Sequence, residues 1–322
     1  MTAMNNPQLL TAIKEARRVF VCTHVQPDGD AFGSALALYE ILISLGKEAV
    51  VACQDPVPIK LRYLNNWDKV VAPEKVTQVS DLSIAVDASG VNRMGTCADV
   101  YFLSPCTVQI DHHTTNTFFA KVNEVDATAA ASGILVTRLA LALGCTVTPD
   151  MATCLYTAIS SDTGNFSYGN ITSEVFQQMA LFMEAGLPLS DTARSLHLMQ
   201  SKGYVQLLGR ALNTLRFIDD GRISGMSLNL KDFEETGALR EESDGIVNEG
   251  LYIGGVEMSY LATETAEGIK FSLRSIVSRK VSGVASFFGG GGHAQAAGCL
   301  IEGEMAPALE KMERAMIKEL HK

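Results

Sequence analysis

Residues 19–46, VFVCTHVQPDGDAFGSALALYEILISLG, decide the fold. The β-branched run 19–23 reads as a short strand, and 33–45 carries Leu36, Ala37, Tyr39, Ile41 and Leu42 at helical spacing until Gly46 stops it. Pro27 and Gly29 shape the turn between them, so strand, turn and helix form one βα unit. The polar residues His24, Asp28 and Asp30 all fall in that turn. In an open α/β sheet, side chains just beyond the strand ends converge on one crevice.

The alternation continues outward. Residues 49–53, 82–86 and 107–110 read as strands, and 59–67 as a helix between the first two. Helices then dominate: 128–143 ends at Gly144, 149–160 has Pro149 in its first turn, and 173–185 is closed by Gly186. The stretch 189–217 is helical but more polar, with Ser201-Lys202-Gly203 as a break. Beyond it, 222–229, 257–263 and 269–274 are strand-like, and 307–320 is an amphipathic helix. The expectation is an α/β chain with an N-terminal domain over 1–195, built as a mostly parallel sheet with flanking helices. A helical linker over 196–215 and a smaller α+β domain over 216–322 follow. No internal repeat is present, and the low-complexity stretch is the glycine run 289–292.

Composition narrows the function. A chain of 322 residues, 47% hydrophobic and 19% charged, buries a large core and has room for two domains. Its formal charge of −10 leaves no basic footprint for gripping long nucleic acid, so a phosphate-bearing substrate should be small. The seven cysteines are odd in number and form no CxxC pair, which argues against a disulfide framework or a zinc ribbon and for a reducing compartment. The first residues lack the apolar core of a signal peptide, and no apolar run approaches the roughly 20 residues of a membrane span. A cytoplasmic location and no membrane partner are expected.

Four acid-bearing segments follow apolar runs: His24 to Asp30, Asp87 after 82–86, Asp111-His112-His113 after 107–110, and Asp162 before Thr163-Gly164. Carboxylate oxygens mixed with imidazole nitrogens suit a divalent metal. Each segment alone has a plainer reading. Asp28 and Asp30 would cap the following helix, Asp87 and Asp162 would cap loops, and a lone Asp-His-His would be surface decoration. Their common placement after strands favours the site. Neighbouring side chains on an extended segment point to opposite sides, so one imidazole of the pair can bind metal while the other faces substrate, with Asp111 orienting a ligand from behind. The glycine run lacks the Gly-Lys-Ser/Thr of a Walker loop, and the small residues after it suggest tight packing rather than a linker. It reads as a backbone nest for an anion, with Arg274 and Ser275 upstream as partners.

Together these segments resemble the DHH-family phosphoesterases that carry a DHHA1 domain. The likeness rests on HVQPDGDAFGS (24–34), VDASGVNRMG (86–95), DHHTTN (111–116), SSDTGNF (160–166), RS (274–275) and GGGGHAQAAG (289–298). Domain size and the Gly-Gly-Gly-Gly-His form look most like the nano-RNase/pAp-phosphatase branch. That resemblance implies two divalent ions, manganese with magnesium or cobalt as alternatives. His24, Asp28 and Asp87 would hold one; Asp30, Asp87, His112 and Asp162 would hold the other, with Asp87 bridging and a hydroxide attacking phosphorus. His113 would donate to a phosphate oxygen, Asp111 would support the site, and Asn116 and Arg93 match substrate-side positions. Arg274, Ser275, Gly290, Gly291, Gly292 and His293 would hold the non-scissile phosphate or terminal nucleotide.

The implied substrates are very short oligoribonucleotides and 3′-phosphoadenosine 5′-phosphate (pAp), with the linear dinucleotides pApA and pGpG as the alternative and a second copy of the chain as a candidate partner. An inorganic pyrophosphatase would need a more basic second domain, and a processive RecJ-like exonuclease would need a further nucleic-acid-binding module. A non-enzymatic nucleotide sensor would tolerate loss of ligands, all of which are present. The chain departs from the family pattern at Ile276-Val277 and Lys280, where relatives carry small, polar, acidic or amide residues. That departure bears on substrate preference.

Overall fold

A computed structural model describes residues 4–292 and 294–322, and the chain divides into two compact units, Met1–Met199 and Gln200–Lys322. The first contains α1 (Pro7–Glu15), β1 (Arg18–Cys22), α2 (Gly29–Ser44), β2 (Glu48–Ala52), β3 (Leu82–Val86), α3 (Cys97–Tyr101), β4 (Cys106–Asp111), β5 (Val122–Val125), α4 (Ser132–Ala142), α5 (Pro149–Asp162), α6 (Ser173–Glu184) and α7 (Leu189–Ala193). Its sheet runs β2-β1-β3-β4-β5 with every pairing parallel. The central strands are buried on both faces, which is why they read as near-continuous apolar runs. Alternate residues serve opposite cores: Val19, Val21 and Ile84 join α2, α4 and α5, whereas Phe20, Cys22 and Ala85 join Met94 and Tyr101.

From β1 the chain crosses to one side and from β3 to the other, so the carboxyl ends of these neighbouring strands form a switch point. Close helix packing brings a second pair of termini to the same end. Gly33 of α2 lies so near α5 that a Cβ there would stand 2.4 Å from the Cys154 carbonyl oxygen and 2.8 Å from the Ala158 nitrogen. This contact sets the start of α2, with Asp28 and Asp30, beside the end of α5, with Asp162.

Two local expectations need correction. The helix expected over 59–67 is absent; that stretch makes two 3-10 turns, Ile59–Leu61 and Trp67–Lys69, because Asn66 takes a left-handed conformation (φ 61°) and the run is too short to propagate. The first long helix begins earlier than its apolar periodicity, at Gly29, because the Asp28 Oδ1 accepts from the Asp30 and Ala31 amides at 3.0 and 3.1 Å.

The second unit contains α8 (Lys202–Asn213), β6 (Arg216–Ile218), β7 (Ile223–Leu228), α9 (Leu230–Thr236), α10 (Val247–Leu251), β8 (Met258–Thr265), β9 (Gly268–Ser275), α11 (Ser282–Phe287), β10 (Gly291–Gly292), β11 (Ala296–Ile301) and α12 (Met305–Leu320). Its mixed sheet is ordered β10-β11-β9-β8-β7-β6, parallel at β7–β8 and antiparallel elsewhere. Leu309, Met312, Met316 and Leu320 form the apolar stripe by which α12 covers Tyr260, Phe271 and Leu273. Leu207 and Ala211 of α8 join a separate core with Met226, Leu228 and Leu261. Among the described residues, no helix is long and apolar enough to cross a membrane.

Candidate active site

The four acid-bearing segments meet at the carboxyl ends of β1, β3 and β4. Among the described residues, ligand atoms within 4.8 Å of one another form three groups: His24, Asp28 and Asp87; Asp30, His112 and Asp162; and Asp87, His112 and His113. The His24 Nε2 lies 3.4 Å from Asp87 Oδ2 and 3.9 Å from Asp28 Oδ1. The His112 Nε2 lies 3.1 Å from Asp162 Oδ2 and 3.6 Å from both Asp30 Oδ2 and Asp87 Oδ1. Asp87 thus faces both imidazoles with different oxygens. Non-glycine residues with positive φ cluster in the same loops: Gln26 (55°), Asp87 (59°), Phe118 (52°), Asn165 (52°) and Phe166 (63°). Such backbone costs of order 1–3 kcal/mol each and persists where the surroundings dictate it.

The buried carboxylates and imidazoles shift one another's pKa values. Burial alone would lower the pKa of His112, but its hydrogen bond to Asp162 and the charges of Asp30 and Asp87 outweigh it and push it up to about 10. Burial, then Asp87 and Asp162, hold Asp30 well above the usual carboxylate range. Asp87 goes the other way; burial raises it, but the hydrogen bond and charge of His24 and the charges of the other imidazoles bring it down to about 2. The buried His112 Nε2 points among the carboxylates of Asp162, Asp30 and Asp87, while its Nδ1 points to the Ala129 carbonyl at 3.3 Å. A neutral imidazole so oriented offers a lone pair among three carboxylates, and the mixed oxygen and nitrogen donor set fits a divalent cation.

Asp162 is informative by position. A carboxylate at a helix C-terminus sits at the negative end of the helix dipole, where capping does not explain it. Asp28 both caps α2 and faces His24.

Asp111 is fully buried and its Oδ1 accepts from the His113 Nδ1 at 2.8 Å, which raises the His113 pKa; when the ring is protonated, the other ring nitrogen is a donor as well. Its Oδ2 accepts from Asn116 Nδ2 at 2.6 Å, and Asn116 Oδ1 in turn accepts from Gln109 Nε2 at 2.8 Å and the Phe118 amide at 2.6 Å. Asn116, expected on the substrate side, is therefore engaged at both ends of its amide within the chain. Arg93 lies beside His24, with Nη2 3.1 Å from Nδ1, and that nitrogen is also 2.8 Å from the Val25 carbonyl. Protonated, Nδ1 donates to Val25; deprotonated, it accepts from Arg93.

In the second unit, Arg274 pairs across the ladder with Ala296, and its Nη1 donates to the Leu273 carbonyl at 3.0 Å. Ser275 is buried and donates to the Arg279 carbonyl at 2.9 Å. The Gly290 amide closes the end of α11 on the Ala285 carbonyl, and Gly291 and Gly292 pair with Gly298 and Ala297. A Cβ at Gly290 would stand 2.1 Å from the Gly298 carbonyl oxygen, which requires glycine at that position. His293 lies outside the described residues.

Sequence reading missed Ser132 and Ser34. The Ser132 hydroxyl donates to Asp87 Oδ1 at 2.9 Å and its amide to Asp30 Oδ2 at 2.6 Å; Gly133 N and Ser34 Oγ complete the Asp30 shell at 3.0 and 2.9 Å. The available signal was the small-residue run 129–133 at the start of α4, where the backbone must approach closely. Also missed were Asn170, whose amide donates to the Asp162 and Ala130 carbonyls, and His197, which contacts Ser160.

This fold and site have known counterparts. Residues 18–159 match the DHH family, N-terminal domain, and residues 226–321 match the DHHA1 domain. A "bifunctional oligoribonuclease and PAP phosphatase NrnA" of Thermus thermophilus is 33% identical over 303 residues, covering 94% of this chain and 90% of that protein. The Bacillus subtilis protein of the same name is 25% identical over 91% of this chain and 92% of its own. The crystal structure of an exopolyphosphatase-related protein from Bacteroides fragilis superposes with a TM-score of 0.90 at 27% identity, covering 97% of this chain and 95% of that one. Fold and site define a hydrolase acting on phosphoester bonds. The chain belongs to the DHH family of phosphoesterases, with a DHHA1 domain following the DHH domain.

Proposed function

We infer that this chain hydrolyses very short oligoribonucleotides to mononucleotides and removes a phosphate from pAp, using two divalent cations, manganese in the first instance. The observation that carries this reading is the pair of carboxylate and imidazole groups sharing Asp87. His24, Asp28 and Asp87 would hold one cation, and Asp30, Asp87, His112 and Asp162 the other. When bound, the cations supply Lewis acidity, which makes water nucleophilic near neutral pH and neutralises charge on the phosphoryl oxygens.

The chain's own groups do the rest. Asp111 fixes the His113 ring by its Nδ1, so that in the protonated ring the second N–H has one direction in which to donate to a phosphoryl oxygen as charge develops there. Ser132, Ser34 and Gly133 hold Asp30 and Asp87 with their oxygens directed inward. Arg274 and the glycine run of the second unit, with His293, would bind the phosphate or nucleotide that is not cleaved, and binding a remote group positions the reacting one. The overall charge of −10 agrees with a substrate too short to need a long basic track. The names of the Thermus thermophilus and Bacillus subtilis relatives support this substrate class.

The test is a substrate panel with purified protein and manganese: pAp, RNA of two to five nucleotides, pApA, pGpG, a long single strand and pyrophosphate. Efficient turnover of pAp and the shortest RNAs is expected. Preference for pyrophosphate or for the long strand would overturn the reading.

A further inference from the structure

His197 belongs to none of the motif segments, yet it is tied to one of them. Its Nε2 lies 2.7 Å from the Oγ of Ser160, a fully buried residue in the last turn of α5. The same hydroxyl is 3.4 Å from the Asn165 Oδ1, and the Asn165 amide donates to the Ser160 carbonyl at 2.7 Å. If Nε2–H donates to Ser160 and Ser160 donates to Asn165, all three groups are satisfied by one directed chain. Asn165 and Phe166, both at positive φ, make the reversal that follows Asp162.

The backbone that presents His197 is unusual as well. Residues Arg194–Leu198 form a single π-helical turn, closed by the Met199 amide on the Arg194 carbonyl at 2.8 Å, and the Ile59–Leu61 turn packs against it. A π turn gives up regular helix geometry and re-aims the side chains it carries. Burial, and the nearby Lys60 charge, lower the His197 pKa, which keeps the ring a neutral hydrogen-bond partner.

We propose that His197 is a positioning residue: through Ser160 it fixes the last turn of α5 and the reversal after it, and so the direction in which Asp162 presents its carboxylate to His112. The inference rests on Asp162 acting as a cation ligand in the proposed function. Asp162 sits at the end of its helix, where its carbonyl is met from outside the helix by the Asn170 amide and the preceding turn depends on the reversal that follows.

The experiment compares His197→Leu, His197→Gln and Ser160→Ala with the unaltered protein. Manganese affinity is measured by calorimetric titration, thermal unfolding is measured in chelator, and kcat and KM are measured on a dinucleotide. Loss of a group that orients a ligand lowers metal affinity about 10- to 100-fold. The expected result is a loss of about tenfold or more in His197→Leu and in Ser160→Ala, recovery in His197→Gln because its amide N–H can reach Ser160, and a fall in kcat larger than any rise in KM at limiting manganese. Unchanged affinity in both His197→Leu and Ser160→Ala would overturn the proposal even if both unfold at lower temperature, and so would failure of His197→Gln to recover. If His197→Leu does not fold, Ser160→Ala with His197→Gln decides. Should the unaltered protein cleave no phosphoester, the function reading fails, while the affinity comparison still tests His197.

Discussion

Gly33→Ala tests how the fold builds the site, because two physical effects oppose each other there. Helix propensity favours alanine over glycine inside α2 by about 0.8–1.0 kcal/mol. Against it, the new Cβ would stand 2.4 Å from the Cys154 carbonyl oxygen and 2.8 Å from the Ala158 nitrogen. Both are backbone atoms of a buried helix, so no side-chain rotation relieves the overlap. Overpacking costs about 1–3 kcal/mol and belongs at the upper end here, leaving a net loss of about 2 kcal/mol. For a unit of this size each kcal/mol moves Tm by about 2–4 °C, so Tm should fall by about 4–8 °C. The overlap is relieved by parting α2 from α5, which also draws Asp28 and Asp30 away from Asp162, and manganese affinity should fall with it. Thermal unfolding in chelator and calorimetric titration read the two effects separately. A variant as stable as the parent with unchanged affinity would refute the close-packing account.

Ser132→Ala removes a buried hydrogen bond to an ionised carboxylate, about 1.5–3 kcal/mol, and should weaken manganese binding about 10- to 100-fold in a titration. The pH dependence has a defined sign. His112, with its pKa pushed up to about 10 by Asp162, Asp30 and Asp87, carries a proton that a cation must displace, so affinity should rise about tenfold per pH unit for each proton released between pH 6 and 8. Titrations in buffers of different ionisation enthalpy count those protons, and pH-independent binding would contradict the assignment. Arg274→Ala should raise KM for pAp while leaving manganese affinity unchanged; a titration and a kinetic series together check it.

Much of this arrangement is legible in sequence because the relevant signals are local. The apolar run 82–86 is a strand with those same limits, since a strand buried on both faces needs no periodicity to be seen. Asp28, Asp30, Asp87 and Asp111 stand out because each follows such a run, whereas Asp162 ends the helix α5. What was not legible depends on contacts across the chain. Residues 59–67 carry apolar spacing, but Asn66 turns the backbone left-handed there and divides it into two short turns. Ser132 is one serine in a small-residue run until α4 is placed against Asp30 and Asp87. His197 lies in a polar helical stretch and gains meaning only from Ser160, which precedes it by many residues. In the second unit, the glycine run reads as a backbone nest for an anion, yet Gly291 and Gly292 form an edge strand, because pairing with Ala297 and Gly298 outweighs the poor strand preference of glycine.

The central claim is that two cation sites share Asp87. Manganese bound per chain, counted by calorimetric titration and by metal analysis after desalting, tests it most directly when the unaltered protein is compared with Asp87→Ala. The prediction is two ions per chain in the former and loss of both tight sites in the latter. Near-normal retention of both ions by Asp87→Ala, or loss of one alone with the other held at its original affinity, would contradict the account.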